Sequence, residues 1–225
     1  MAPKKESQPS KEAKERLLEA GIKIFAQSGF EGASTRMLVK EANVNISAIP
    51  YYFGGKDGLY EAVMRHIVAT VLKERGETII ELRRALEGTA LTQAQAKNLL
   101  SGFISSFSEF LLSERASLNM AQIIIREQMR PSPVFEILYE EMMRPMHETF
   151  TRLIAFLIGV APETEDAVLC AYTIMGQILI FKTHKEFVRR RTGWKSYGKT
   201  ETDVIIKTIL QNTDAIIAAH RKRAP

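Results

Sequence analysis

Residues 34–56 read STRMLVKEANVNISAIPYYFGGK, and their apolar positions fit two short helices rather than one. Over residues 35–42, Leu38, Val39 and Ala42 share one face, and Ser34 or Thr35 can cap backbone N–H groups that lack a partner in a first helical turn. Asn43 and Val44 form a turn dipeptide, because Asn accepts a left-handed backbone and Val44 can bury between the helices. Asn45 caps a second short helix through Tyr52. There Ala48, Ile49 and Phe53 pack inward, while Ile46, Ser47, Tyr51 and Tyr52 take the other face, with Lys56 just beyond. Two helices joined by a three- or four-residue turn make a helix-turn-helix, whose second helix fits the major groove of DNA.

Elsewhere the apolar residues keep a helical period, and no segment alternates as a strand would. A first helix is expected over residues 11–28, with Gly29 as its stop, and a long one over 56–86 with Leu59, Val63, Ile67 and Val71 on one face. The long helix would begin in a DNA-reading bundle and end in a second domain, so it could act as a lever between them. Further helices follow after residue 92, from Leu118 to Met129, and over 135–157, where Pro145 should introduce a kink. Another starts at Pro162, with Glu163, Glu165 and Asp166 complementing its dipole. The basic connection KTHKEFVRRRTGWKSYGK leads to a last helix over 200–220. Its arginines at 189–191 could be a second DNA patch or a solvated connector.

Composition narrows the function classes. The 225 residues, 45% hydrophobic and 25% charged, can bury a full core in one or two domains. A formal charge of +5 and a pI near 9.3 are compatible with a nucleic-acid partner. A single cysteine, Cys170, allows no intrachain disulfide. No run approaches the roughly 18 apolar residues of a membrane span, and MAPKKESQPSK lacks the apolar core of a signal peptide. A soluble, cytoplasmic protein without a membrane partner is the expectation. His66, His147, His184 and His220 lack metal-ligand spacing, so no metal site is expected. No nucleophile elbow, phosphate-binding glycine loop or paired-acid motif supports catalysis or a cofactor.

The pattern G-F-x-G-A-S-T-R-x-L-V-x-E-A-N-V-N…I-x-Y-Y-F-G-G-K-D-G-L-Y resembles the TetR/AcrR family of transcription regulators over roughly the first third of the chain. Arg36, Val44, Tyr52, Phe53, Lys56 and Leu59 fall at family spacing. Asn43 stands where the family usually has Gly, and Pro50 where it often has Tyr. In the second half, I-x-R-E-Q-M…P…P-M-H…R-L-I-A-x-x-I-G and G-Q-I-L-I-F-K…R-R-T-G-W resemble the C-terminal regulatory domain of the CecR-like subgroup. The resemblance implies an all-α protein: a disordered arm (1–10), a three-helix helix-turn-helix domain (11–71, motif about 34–53) and a helical bundle (72–225) for ligand binding and dimerisation. It also implies a homodimeric regulator, usually a repressor, that leaves a palindromic double-stranded DNA operator when a small apolar or amphipathic effector binds.

Arg36 is placed to contact a guanine edge bidentately, and the resemblance carries a base-contacting role onto it. The resemblance also puts Thr35, Ala48 and Tyr52 on phosphate-touching positions and Lys56 on one that anchors the backbone. Ile46 and Ser47 match groove-facing positions, and Ile46 and Tyr51 could meet a thymine methyl. For the effector, Phe103, Phe107, Tyr139, Met143 and Gln177 could line a cavity closed by the Pro145 kink, or simply pack a core. Arg126, Glu127 and Gln128 form a polar run at the mouth of an apolar helix, where they could clamp a ligand or belong to a solvated helix end. One short recognition helix reads too few base pairs, so a dimer is expected through Leu169, Met175, Gly176 and Leu179 with Ile205, Ile209 and Ile216 of the last helix. Two other readings stay open: an architectural DNA-binding protein with a sealed, cavity-free core, and a helical enzyme whose N-terminal domain is incidental.

Overall fold

The computed structural model describes residues 8–88, 91–113 and 117–221, apart from the side chains of residues 8–10 and 75. Eleven α-helices occur among them: α1 (Gln8–Gly32), α2 (Thr35–Ala42), α3 (Ala48–Phe53), α4 (Lys56–Glu87), α5 (Gln93–Leu112), α6 (Leu118–Met129), α7 (Phe135–Leu138), α8 (Arg144–Ile158), α9 (Glu165–Thr183), α10 (Lys185–Thr192) and α11 (Lys199–Arg221). A five-residue π-helix, Tyr139–Met143, joins α7 to α8. No strand occurs among the described residues. Residues 1–7 of the expected disordered arm lie outside them, and α1 begins three residues ahead of the expected start.

Packing divides the chain into two compact units, and the division is not the simple one expected at residue 71. The first takes the chain up to Glu74 together with Ser117–Met143; the second takes Arg75–Ala116 and Arg144–Pro225. Thus α6, α7 and the π-helix pack with the helix-turn-helix. Ile123, Leu138 and Met142 are buried in the same core as Leu17, Phe25, Leu38, Ile49 and Leu59. Arg65 of α4 is ion-paired with both Glu61 and Glu141, which fastens the π-helix to that unit.

The local endings follow the residues. Gly29 interrupts α1 with φ 69°, a left-handed conformation that glycine adopts without a Cβ penalty. Thr92 and Gln95 form a reciprocal capping box that starts α5. The expected continuous 135–157 helix is split, because Pro145 in the first turn of α8 has no N–H to donate to residue 141. The wider π turn just before it accommodates that missing bond.

In the second unit, α5, α8, α9 and α11 enclose Leu100, Phe103, Ile104, Phe150, Leu153, Ile154, Ile174, Ile178, Ile205 and Ile209. The expected basic connection contains α10, an eight-residue helix with no buried residue. Glu186 supports it by pairing with Arg189 and Arg190 one turn away. By length and mean hydropathy alone the 19-residue α9 reaches what a membrane span needs, although Glu165, Asp166 and Lys182 bound its uncharged run, as the expectation of no such span requires. One face of it, including Cys170, Ile174 and Ile178, lies in this core.

Candidate functional site

The helix-turn-helix is built from its caps outward. Ser34 Oγ accepts from Met37 N (3.2 Å), and Leu38 N donates to the Ser34 carbonyl (3.1 Å). The amides of Thr35 and Arg36 precede the helix's own bonds and point out of its positive end, where an anion is favoured. Asn43 is left-handed at φ 50°, as the turn requires, and its N–H closes α2 on the carbonyls of Val39 and Lys40. Asn45 Oδ1 then accepts from both the amide and the hydroxyl of Ser47, each at 3.0 Å, and so sets the entry to α3.

Pro50 costs this arrangement little. It lies in the first turn of α3, where the backbone N–H would have no intrahelical partner. Tyr51 N still reaches the Ser47 carbonyl (3.1 Å), and Gly54 N closes on the Pro50 carbonyl (3.1 Å). Gly58 fixes the following turn. A Cβ there would lie 1.8 Å from the carbonyl oxygen of Phe53, so only glycine lets α4 start this close to the end of α3.

The exposed surface of the motif carries Arg36, Met37 and Lys40 from α2 with Ile46, Ser47 and Tyr51 from the turn and α3. Ile46 is 52% exposed and Tyr51 78%, unusual for large apolar or aromatic groups and suited to contact with bases. Periodicity points to Lys40, one turn beyond Arg36, but not to Met37, whose exposure only the structure shows. Thr35 is half-buried. Tyr52 is half-buried as well: its ring packs on the core and meets Tyr51 edge-on at 4.8 Å, so it is not on the open face as expected.

Ala48, expected to touch a phosphate, and Lys56, expected to anchor the backbone, both bond within the protein. The Ala48 amide donates to the Asn45 carbonyl (3.0 Å) and is not open to a phosphate. The Lys56 ammonium lies 4.2 Å from the centroid of the Phe30 ring and donates to the carbonyls of Phe30 (3.0 Å) and Ala33 (3.1 Å). It ties the start of α4 to the end of α1, with one of its three donors left over.

Behind the motif, α6 is held by polar groups that periodicity does not reveal. Glu127, 2% exposed, accepts from the Tyr60 hydroxyl (2.6 Å) and from the amide (3.0 Å) and hydroxyl (2.9 Å) of Ser132. Burial, then the bond to Glu127, pushes the Tyr60 phenol above its usual range, so it remains a donor. Arg126 donates to the Ala26 carbonyl (3.2 Å) and lies against Gly29, where a Cβ would come within 2.2 Å of its Nη1. A groove of about 1,400 Å³ opens here, lined by residues of α1, the start of α4, α6 and residues 130–134.

The expected effector residues do not converge. Phe103 lines a separate cavity of about 860 Å³ between α4 and α5, with Thr78, Leu82, Asn98, Leu99 and Ser106. Phe107 stacks on Phe103 at 5.6 Å. Arg126, Tyr139 and Met143 belong to the first unit, and Gln128 is exposed. Gln177 is half-buried in the second unit, with its Nε2 atom unpartnered, but is not in the α4–α5 lining. The π-helix and the change of unit at residue 144 separate positions that a single helix would have aligned.

The expected dimer face is corrected in the same way. Met175, Ile205 and Ile209 are 5%, 2% and 0% exposed, inside the second unit's own core. Leu169 and Gly176 are exposed, Leu179 is 37% exposed and Ile216 is half-buried. The outer face of α9 is therefore carried by Leu169, Tyr172, Gly176, Leu179 and Ile180, which share one stripe.

Comparison with known proteins agrees with this architecture. Residues 17–63 match the model of the bacterial regulatory proteins of the tetR family. Residues 96–220 match that of the C-terminal domain of the HTH-type transcriptional dual regulator CecR. CecR of Shigella flexneri is 29% identical over 213 residues, covering 95% of each chain. The probable HTH-type transcriptional regulator YttP of Bacillus subtilis is 29% identical over 136 residues, which is 57% of this chain and 63% of that protein. Among solved structures, the hemolysin II transcriptional regulator HlyIIR shares the fold at a TM-score of 0.59 and 20% identity, over 88% of this chain and 97% of its own. A regulator from Aquifex aeolicus VF5 does so at 0.51 and 16%, over 91% and 99%. These relatives are regulators, not enzymes, and the chain belongs to the TetR family of DNA-binding transcription regulators, with a C-terminal domain of the CecR type.

Proposed function

We propose that this protein is a cytoplasmic, homodimeric repressor that binds a palindromic operator and leaves it when a small amphipathic effector enters the α4–α5 cavity. The observation that carries the DNA half is the exposure of Arg36, Ile46, Ser47 and Tyr51 on a motif whose α2 is capped by Ser34 and whose turn is held by Asn45. Arg36 reads a guanine edge, and Ile46 and Tyr51 meet thymine methyls. The amides of Thr35 and Arg36, with the Thr35 and Tyr52 hydroxyls, take phosphates. Lys56 acts mainly by holding α4 against α1, and Ala48 by letting the backbone come close.

The apolar outer stripe of α9 and the small exposed residues of α11, Ala215, Ala218 and Ala219, support pairing across a two-fold axis. The cavity of about 860 Å³ lined by Phe103, Leu99, Asn98 and Ser106 favours an effector over a purely architectural role. Gly102 provides a clean handle, because a Cβ added there meets nothing within 4 Å. An effector can shift the operator equilibrium only through its differential affinity for the two states, and a hundredfold preference supplies about 2.7 kcal/mol.

Selection from a randomised duplex pool tests the operator. The expected product is an inverted repeat whose half-sites are about 34–36 Å apart. Arg36→Ala should relax one base position at a cost of about 1–3 kcal/mol. A pool without sequence preference would sink the regulator reading. Gly102→Leu should then abolish effector release while leaving operator affinity intact.

A further inference from the structure

Lys182 at the end of α9 and Lys185 and Arg189 of α10 lie on either side of the break at His184, the last two on one face of α10. All three are half-buried. Phe181, Val188 and Trp194 anchor the segment on the second unit's core. Tyr197 closes the site from the following turn: it is 8% exposed, lies 5.3 Å beneath the Lys185 ammonium and meets Trp194 edge-on at 6.0 Å.

The carboxylates at hand are already engaged. Glu186 accepts from Arg189 Nη1 and Arg190 Nε, both at 2.9 Å, and Glu201 accepts from the Gly198 amide at 2.9 Å. Lys182 and Lys185 have no ion pair among the described residues. Two donors here are buried and unpartnered, Arg189 Nε and the Tyr197 hydroxyl. Burial, then the neighbouring Lys185, pushes the Lys182 ammonium below its usual range, as crowded like charges require. Buried donors without acceptors beside uncompensated cations are costly unless an anion joins them.

We propose that this face of Lys182, Lys185, Arg189 and Tyr197 binds a small oxyanion, the carboxylate or phosphate group of a low-molecular-weight ligand. The site is separate from the α4–α5 cavity and does not rest on the effector reading. Arg190, Arg191 and Lys195 are exposed and could meet an extended polyanion, but the unpartnered donors, Arg189 Nε and the Tyr197 hydroxyl, are buried, which favours a compact group. The several N–H donors and one hydroxyl suit the multiple lone pairs of a carboxylate or phosphate.

Trp194 is the only tryptophan in the chain and sits against Tyr197, so its emission reports on this site. The full-length protein is titrated with inorganic phosphate and, separately, acetate, with chloride holding the ionic strength constant. A saturable emission change is expected for at least one of them. Lys185→Gln should raise the half-saturating concentration about tenfold, the loss of one charge-assisted bond, whereas Arg191→Gln on the exposed side should not. If Trp194 emission is silent, phosphate or acetate must still raise the thermal midpoint more than chloride does. The proposal is overturned by a chloride response equal to theirs, by equal effects of the two substitutions, or by an unmoved midpoint with silent emission. A response confined to phosphatidylglycerol vesicles or to random duplex DNA would also overturn it, by making the face an extended polyanion surface.

Discussion

The two units treat buried polar groups in opposite ways. In the first, Glu127 accepts three hydrogen bonds from Tyr60 and Ser132, Arg126 reaches the Ala26 carbonyl, and Lys56 reaches two more carbonyls. In the second, buried atoms of Gln93, Ser108, Gln177, Arg189, Tyr197 and Thr213 have no protein partner, and every such atom among the described residues falls there. Saturated networks hold one geometry, because opening them strands donors and acceptors away from water. Unsatisfied groups leave a core with polar capacity to spare for a ligand. A reading surface has to be rigid and an adaptable domain does not, so the contrast is the one expected if the proposed effector binds in the second unit.

The severest way to probe the second unit is a charge in its core. Ile209→Glu would bury an unpaired carboxylate at a site with no exposure and should unfold the unit, seen as loss of helical circular dichroism. Leu179→Glu, on the outer stripe of α9, should instead give folded monomers in sedimentation. Equal behaviour of the two variants would contradict the assignment of inner and outer faces.

Next in size is the first unit's network. Glu127→Ala strands the Tyr60 hydroxyl and both Ser132 donors, at a cost of about 2–4 kcal/mol in urea unfolding. Gly58→Ala sets a methyl 1.8 Å from the Phe53 carbonyl and must displace α3 or α4, costing about 1–3 kcal/mol. Its operator affinity should fall by more than its helical content does. The smallest effect is the most diagnostic. Ser108 is fully buried with an unpartnered hydroxyl, so Ser108→Ala should be neutral or stabilise by up to about 1 kcal/mol. A loss comparable to that of Glu127→Ala would erase the contrast between the units.

The sequence by itself determined much of what neighbours along the chain set, though not the Thr92–Gln95 capping box or the start of α3 at Ser47 rather than Asn45. The Ser34 cap, the left-handed Asn43, the turn at Asn45 and the break at Gly29 are short-range hydrogen-bond and steric facts, and each appears as the residues required. Of the face expected to point outward, Ile46, Ser47 and Tyr51 are exposed and Tyr52 is not. Only the tertiary structure decided which apolar face of α9 or α11 meets the core, since Met175 and Leu179 are equally apolar in sequence but differ in burial. It alone sent residues 117–143 to the first unit, buried Glu127 beneath Tyr60, and drew Lys56 back onto Phe30. The reason is physical: periodicity says that a face must be covered, whereas its partner is chosen by packing between segments distant in the chain.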